Sequence, residues 1–114
     1  MPTTYKQIGA AAGNGVIGTG AQLYAASGTA GTSTVVSSIV ICNTSASSAT
    51  YTIAVNTASA TYAAGRYVVY QATIAGNDTV ALTLGLVLDP TNRYLNVSSS
   101  ASTVNFSAYG AELS

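Results

Sequence analysis

Histidine is absent from this chain of 114 residues, which removes the commonest general base and a frequent metal ligand. Acid–base chemistry would depend on three acidic residues, Asp78, Asp89 and Glu112. Paired carboxylates can hydrolyse glycosides, but Asp78 and Asp89 stand in turn sequences, where Asp usually accepts hydrogen bonds from nearby backbone. No DxDxD-type spacing indicates a metal site built from oxygen ligands. We therefore expect no enzymatic activity, no catalytic residues, no cofactor and no metal.

Cysteine occurs once, so the chain cannot form an internal disulfide. Cys42 lies in a run of β-branched residues, which favours a small buried side chain over a reactive thiol. Mean hydropathy is +0.39, yet no apolar run reaches the roughly 18 residues of a transmembrane helix. Residues 1–20 lack the basic and apolar regions of a signal peptide. We expect no membrane partner, and synthesis in a reducing cytoplasm.

Charge is scarce as well. Charged residues make up 5% of the chain, and three basic residues balance three acidic ones. Nucleic-acid binding needs clustered Lys or Arg, so we expect no nucleic-acid partner. A neutral surface with few charges gives little protection against association, and the chain has one Phe, one Met and no Trp to fill a core. Because a lone monomer would be marginally stable, we expect a homo-oligomer, a trimer first of all, docked on a larger assembly.

Short β-branched runs are abundant, and the longest covers residues 32–43, TSTVVSSIVICN. Such residues pack well on a pleated surface, so this segment is predicted to be a strand. Alternation assigns its apolar side chains to two faces: Val35, Ile39 and Ile41 on one, and Val36, Val40 and Cys42 on the other. Two apolar faces predict a central strand. Residues 49–55 alternate too, and we expect them to form an antiparallel hairpin with it through a polar loop.

The remaining pattern predicts short strands throughout, with no helical periodicity. The predicted segments are residues 5–8, 21–26, 62–74 with a bend at Gly65, 79–84, 93–98 and 103–109. Seven to eight short strands with turns at this spacing predict an all-β chain folded as a single antiparallel β-sandwich, jelly-roll or immunoglobulin-like. We expect residues 1–20, which are rich in Gly and Ala, to be an N-terminal arm ordered by neighbouring subunits, and residues 21–114 to be the sandwich domain.

The same alternation predicts the core. We expect Ile39 and Ile41 to lie on the main core face. Their predicted neighbours are Ile53, Val55, Leu82, Leu84 and Phe106.

Two long segments, residues 23–55 and 70–113, resemble a group of small virion proteins of tailed bacteriophages. The phage proteins and this chain share one order of segments. An "LY" segment and a turn precede a "VSSIVVCN"-like strand, and an "NDT" turn, a "GLxL" segment and a terminal "VYGxE"-like strand follow. The most specific parts in this chain are SSIVICN, residues 37–43, and AGNDT, residues 75–79. Residues 1–20 lie outside the match, and residues 56–69 follow it loosely.

The resemblance implies a β-module of the virion. The first expectation is a capsid decoration (cement) protein that stabilises the head, located on the capsid surface and bound to the major capsid protein or other virion proteins. The alternative is a tail, baseplate or fibre component that acts as a receptor- or glycan-binding module. Eight Tyr residues are scattered along the chain. Concentrated on one exposed surface, they could form a sugar-binding face, because tyrosine rings combine apolar area with a polar tip.

Overall fold

Strands and turns make up the described part of the chain, which in a computed structural model covers residues 3–12, 21–57, 66–101 and 103–113. The eight strands are β1 (Thr3–Ala12), β2 (Ala21–Ala25), β3 (Ser33–Asn43), β4 (Ala49–Asn56), β5 (Tyr67–Ile74), β6 (Thr79–Leu88), β7 (Tyr94–Ser99) and β8 (Val104–Leu113). The all-β prediction is confirmed. None of the described residues belongs to a helix long and apolar enough to cross a membrane.

The strands form two four-stranded antiparallel sheets. The β3 sheet has the order β1-β8-β3-β6, and the β4 sheet has the order β2-β7-β4-β5. Successive strands change sheet at every connection except that between β4 and β5. An immunoglobulin-like fold would place the first two strands in one sheet, whereas here β1 and β2 lie in different sheets. The sandwich therefore has jelly-roll connectivity.

The central position predicted for β3 is confirmed, since it pairs with β8 on one side and β6 on the other. The hairpin predicted between β3 and β4 is wrong, because the two strands belong to opposite sheets. The buried side chain of Asn43 explains the crossing. Its amide donates to the carbonyl oxygens of Ser47 at 2.8 Å and Ala75 at 3.3 Å, and its oxygen accepts from Ser45 N and Thr103 Oγ1, both at 3.1 Å. These bonds hold the connection after β3 in an arch between the sheets.

A β-bulge changes the predicted faces of β3. The register with both neighbouring strands shifts between Val36 and Ser38, so the alternation reverses there. As a result Val36, not Val35, shares the core face with Ile39 and Ile41. The opposite face of the strand is half-exposed, and Cys42 is half-exposed with it. The expectation of a buried cysteine is therefore wrong for this chain by itself.

The core lies between the two sheets, and it contains the predicted residues Ile39, Ile41, Ile53 and Phe106. Phe106 is the cross-strand partner of Ile41, and the ring of Tyr51 meets it edge-on at a centroid distance of 6.5 Å. The other predicted core residues, Val55, Leu82 and Leu84, are half-buried and pack against this core.

The N-terminal residues differ from the expectation of a separate arm. Residues 3–12 form β1 and pair with β8 along nearly its whole length, from Thr3 opposite Leu113 to Ala12 opposite Asn105. They are therefore part of the sandwich, because β8 supplies the backbone hydrogen-bond partners of this strand. Gly9 allows β1 to approach β2, since a Cβ there would lie 2.1 Å from the carbonyl oxygen of Leu23. Residues 13–20 lie outside the described residues, as do residues 58–65 with the predicted bend at Gly65.

Candidate functional site

The outer face of the β3 sheet is the broadest candidate surface. Along each strand, the residues between the core-facing positions point to this outer side. The strand registers align these residues in rows that run across the sheet. The first row is Tyr5, Ala111, Val35 and Val87, all without a polar group except the Tyr5 hydroxyl. Tyr5 is 65% exposed and Val87 62% exposed. The row thus presents apolar side chains to the surroundings at both edges of the sheet.

The next three rows also contain only uncharged side chains. They consist of Gln7, Tyr109, Ser38 and Thr83, then Ser107, Val40 and Ala81, then Asn105, Cys42 and Thr79. Hydrogen bonds fix one corner of the surface: the hydroxyls of Tyr5 and Ser37 lie 2.6 Å apart, and Ser37 Oγ donates to the carbonyl oxygen of Tyr109 at 3.1 Å. We call these rows together the uncharged face.

All six charged residues of the chain are described, and none lies on the uncharged face. Asp78 precedes β6 and Asp89 follows it, which places them about 36 Å apart along the chain at the ordinary rise of a strand. Asp89 Oδ1 accepts the backbone N–H groups of Asn92 at 2.7 Å and Thr91 at 2.9 Å. These two bonds, that from Asn92 above all, hold the pKa of Asp89 below its usual value. Both residues therefore have turn roles, and they cannot act as a carboxylate pair.

Glu112 lines a cleft of about 220 Å³ where the two sheets meet. Tyr24 on β2 donates its hydroxyl hydrogen bond to Glu112 Oε2 on β8, and the same hydroxyl lies 3.0 Å from Thr34 Oγ1. Lys6 Nζ lies 3.0 Å from the other carboxylate oxygen. The bond from Tyr24, followed by that from Lys6, lowers the pKa of Glu112. Burial, reinforced by Glu112, raises the pKa of Tyr24.

This cleft is smaller than the roughly 300–1,000 Å³ of ordinary ligand pockets. Its carboxylate already has a partner on each oxygen, Lys6 on one and Tyr24 on the other. We therefore interpret the cleft as a polar link between the sheets. Among the described residues, no group of three or more His, Cys, Asp or Glu side chains is arranged to hold a metal ion.

A pair of aromatic rings lies on the opposite side of the molecule, on the edge strand β5. Tyr67 and Tyr70 meet edge to face at a centroid distance of 4.7 Å, and they are 37% and 57% exposed. A spacing of three residues would put them on opposite faces of a regular strand. The register between β4 and β5 is irregular, however, and Gln71 has a positive φ of 51°. No signal in the sequence indicates this irregularity, so the pair could not be predicted.

The outer side of the β4 sheet also contains buried polar side chains. Thr52 accepts the backbone N–H of Gln71 at 3.0 Å. The side-chain amide of Asn56 and the hydroxyl of Ser98, in contrast, are buried and have no hydrogen-bond partner in the described part of the chain. These two groups do not form one site, because Ser98 pairs with Thr52, four residues away from Asn56 along β4.

No protein-family model matches this chain, and a search of curated proteins finds no significant relative.

Proposed function

We propose that this protein is a structural component of a bacteriophage virion, and specifically a capsid decoration protein that stabilises the head. In this proposal it sits on the capsid surface as a homo-oligomer and binds the major capsid protein or other virion proteins. The uncharged face is the observation that supports it most, because a broad sheet surface without a single charge suits a protein that works inside an assembly. The role is structural, with no catalytic residue, cofactor or metal.

The edge strand β6 supports the same proposal. It is ten residues long and contains neither a charged residue nor a proline. Free edge strands of this kind are usually protected by charge, proline or a covering segment, because their unpaired backbone groups can bind other chains. In a virion, neighbouring proteins can supply that cover.

The two segments that carry the resemblance to phage proteins meet in space. SSIVICN ends at Asn43, whose backbone N–H donates to the carbonyl oxygen of Asp78 at 2.9 Å, within the AGNDT turn. In that turn Asn77 has a positive φ of 53°, and its N–H donates to Ser45 O at 2.7 Å. A Cβ at Gly76 would lie 2.0 Å from the carbonyl oxygen of Ala46. The similar residues thus have structural reasons to occur together, which fits a shared fold for one kind of virion module.

Copy number tests the proposal. Purified particles of the phage that encodes the chain should contain hundreds of copies by quantitative mass spectrometry, normalised to the major capsid protein. Particles produced by a phage from which the gene has been deleted should assemble, but they should release their DNA at a lower temperature than particles of the parent phage. A count of tens or fewer copies per particle, or absence from the particle, would refute the decoration role.

The Tyr67–Tyr70 pair favours a second candidate, a tail or fibre module that binds a receptor glycan. Stacking of sugar rings on exposed tyrosines would make these residues essential for adsorption. Replacing both with Ala should then slow adsorption to host cells, whereas the control Thr73→Ala, at an exposed position of the same strand, should not. Normal adsorption by the double variant, together with a high copy number on the head, would support the decoration protein over the glycan-binding module.

A further inference from the structure

The uncharged face is unusual for a surface in contact with water. An antiparallel sheet with one solvated face normally carries polar and charged residues there, and charged residues form about a quarter of an ordinary domain. Here the six charges of the chain all lie elsewhere, in turns, at the cleft between the sheets or next to the β4 sheet. The face instead combines apolar Val and Ala with neutral Ser, Thr and Asn.

The size of this face sets the scale of the contact it can make. Its rows run from Val35 to Cys42 on β3, which gives a length of about 23 Å, and four strands at the usual spacing span about 19 Å. The flat area is therefore about 440 Å² before the relief of the side chains is counted. A standard specific interface buries about 800 Å² on each partner. The whole face is therefore needed for one such contact.

We infer that two copies of this chain pack through their uncharged faces, about a twofold axis, to form a dimer. A second copy is the partner that the charge pattern favours, because its face is equally free of charge and no ion on either side loses its water. An ordinary protein surface would bring charges onto the face and leave them unpaired and desolvated. Small side chains allow two sheets to pack at about 10 Å.

The contact is isologous, so it closes at two copies, in contrast to the trimer expected from composition. It goes beyond the proposed function, and it applies equally to a head and to a tail component. It also explains how a half-exposed Cys42 and a row of exposed valine and tyrosine are covered in the working protein.

A matched pair of charge substitutions tests the inference. Thr83 lies on the uncharged face opposite Ser38, and Thr73 lies on the outer side of the β4 sheet opposite Thr50; both are exposed strand residues. Sedimentation velocity of the full chain should give twice the single-chain mass of 11.3 kDa. Thr83→Asp should raise the dimer dissociation constant at least about 100-fold, since each copy then buries an unpaired charge, and Thr73→Asp should leave it unchanged. If Thr83→Asp does not fold by circular dichroism, Ser107→Asp on the central strand β8 replaces it.

Cys42 provides a second readout because it lies on the face itself. A thiol reagent should modify the parent slowly at concentrations where it is dimeric and faster on dilution, and it should modify Thr83→Asp rapidly at every concentration. A monomeric parent, an oligomer unaffected by Thr83→Asp, or equal dissociation of both variants would overturn the inference. A monomer in solution with hundreds of copies per particle would overturn it and leave the virion proposal intact, whereas a dimer that is absent from particles would do the reverse.

Discussion

Asn43 should be the polar residue whose replacement costs this sandwich most. Its side chain is 1% exposed and makes four hydrogen bonds that tie the end of β3 to three other segments of the chain, through the backbone of residues 45–47 and of Ala75 and through the hydroxyl of Thr103. Each bond contributes a net stability of about 1 kcal/mol, so Asn43→Ala should lower the free energy of unfolding by about 4 kcal/mol. That is a large fraction of the roughly 5–15 kcal/mol of an ordinary domain.

The isosteric change Asn43→Asp makes the test sharper. The introduced carboxyl keeps an acceptor for Ser45 N and Thr103 Oγ1, but when ionised it turns a second oxygen toward the carbonyl oxygens of Ser47 and Ala75, where the amide donated. Burial and these carbonyls favour the protonated form, so the folded-state pKa of the introduced group should lie above the unfolded value of about 3.9. The penalty is then small below pH 4 and grows as the pH rises toward the folded-state pKa. A shift of about 3 units would correspond to about 4 kcal/mol.

Urea unfolding of the parent and the variants at pH 3 and pH 7 measures this difference. Thr73→Asp is the control, since Thr73 is exposed on β5 and lies away from the uncharged face, and it should change stability by less than about 0.5 kcal/mol. The reasoning would be refuted if Asn43→Asp lost no more stability at pH 7 than at pH 3, or if Asn43→Ala remained within about 1 kcal/mol of the parent.

Three further predictions concern the core, the cleft and an unpaired hydroxyl. Ile39→Ala should cost about 2–5 kcal/mol because its side chain is fully buried, whereas Val40→Ala, on the half-exposed face of β3, should cost clearly less; equal melting temperatures would contradict this. Because the pKa of Glu112 is lowered in the folded state, its contribution is present above the unfolded value of about 4.3 and is lost as the pH falls through the folded value. The stability advantage of the parent over Glu112→Gln, followed by thermal melts, should therefore shrink between pH 6 and pH 3, and a constant advantage would exclude the ionic link. Ser98→Ala should be neutral or stabilising by up to about 1 kcal/mol, since it removes a buried hydroxyl without a partner; a loss above about 1 kcal/mol in urea unfolding would reveal a bond.

The positions of the strands could be predicted because runs of β-branched residues are separated by clusters of turn-forming residues along this chain. The pairing of the strands could not. Nothing in residues 44–48 distinguishes a hairpin loop from an arch between sheets, because the deciding hydrogen bonds of Asn43 reach residues as distant as Ala75 and Thr103. The bulge at Ser37 likewise has no signal in the sequence. Because of it, Val36 lies in the core where the alternation predicted Val35.

The uncharged face shows the same limit. The shortage of charge is visible in the composition, but the rows appear only when β1, β8, β3 and β6 are known to be neighbours. The composition therefore predicts a covered surface without locating it, and the strand order was needed to say which surface the prediction concerns. The Tyr67–Tyr70 pair depends on irregular pairing of β5 and could be found only in the structure.

The place of β8 has a consequence for how the protein is made. This strand lies between β1 and β3, so residues synthesised near the start of the chain meet only through residues synthesised near its end, as the pairing of Thr3 with Leu113 illustrates. While the ribosome is still producing residues 1–103, β1 has no partner strand and one side of β3 is open. Closing such distant contacts is slow, and unpaired edges on incomplete chains favour aggregation. The β3 sheet must therefore be completed after β8 has left the ribosome, and rapid synthesis would produce many chains in which β1 and one side of β3 stay unpaired until β8 emerges.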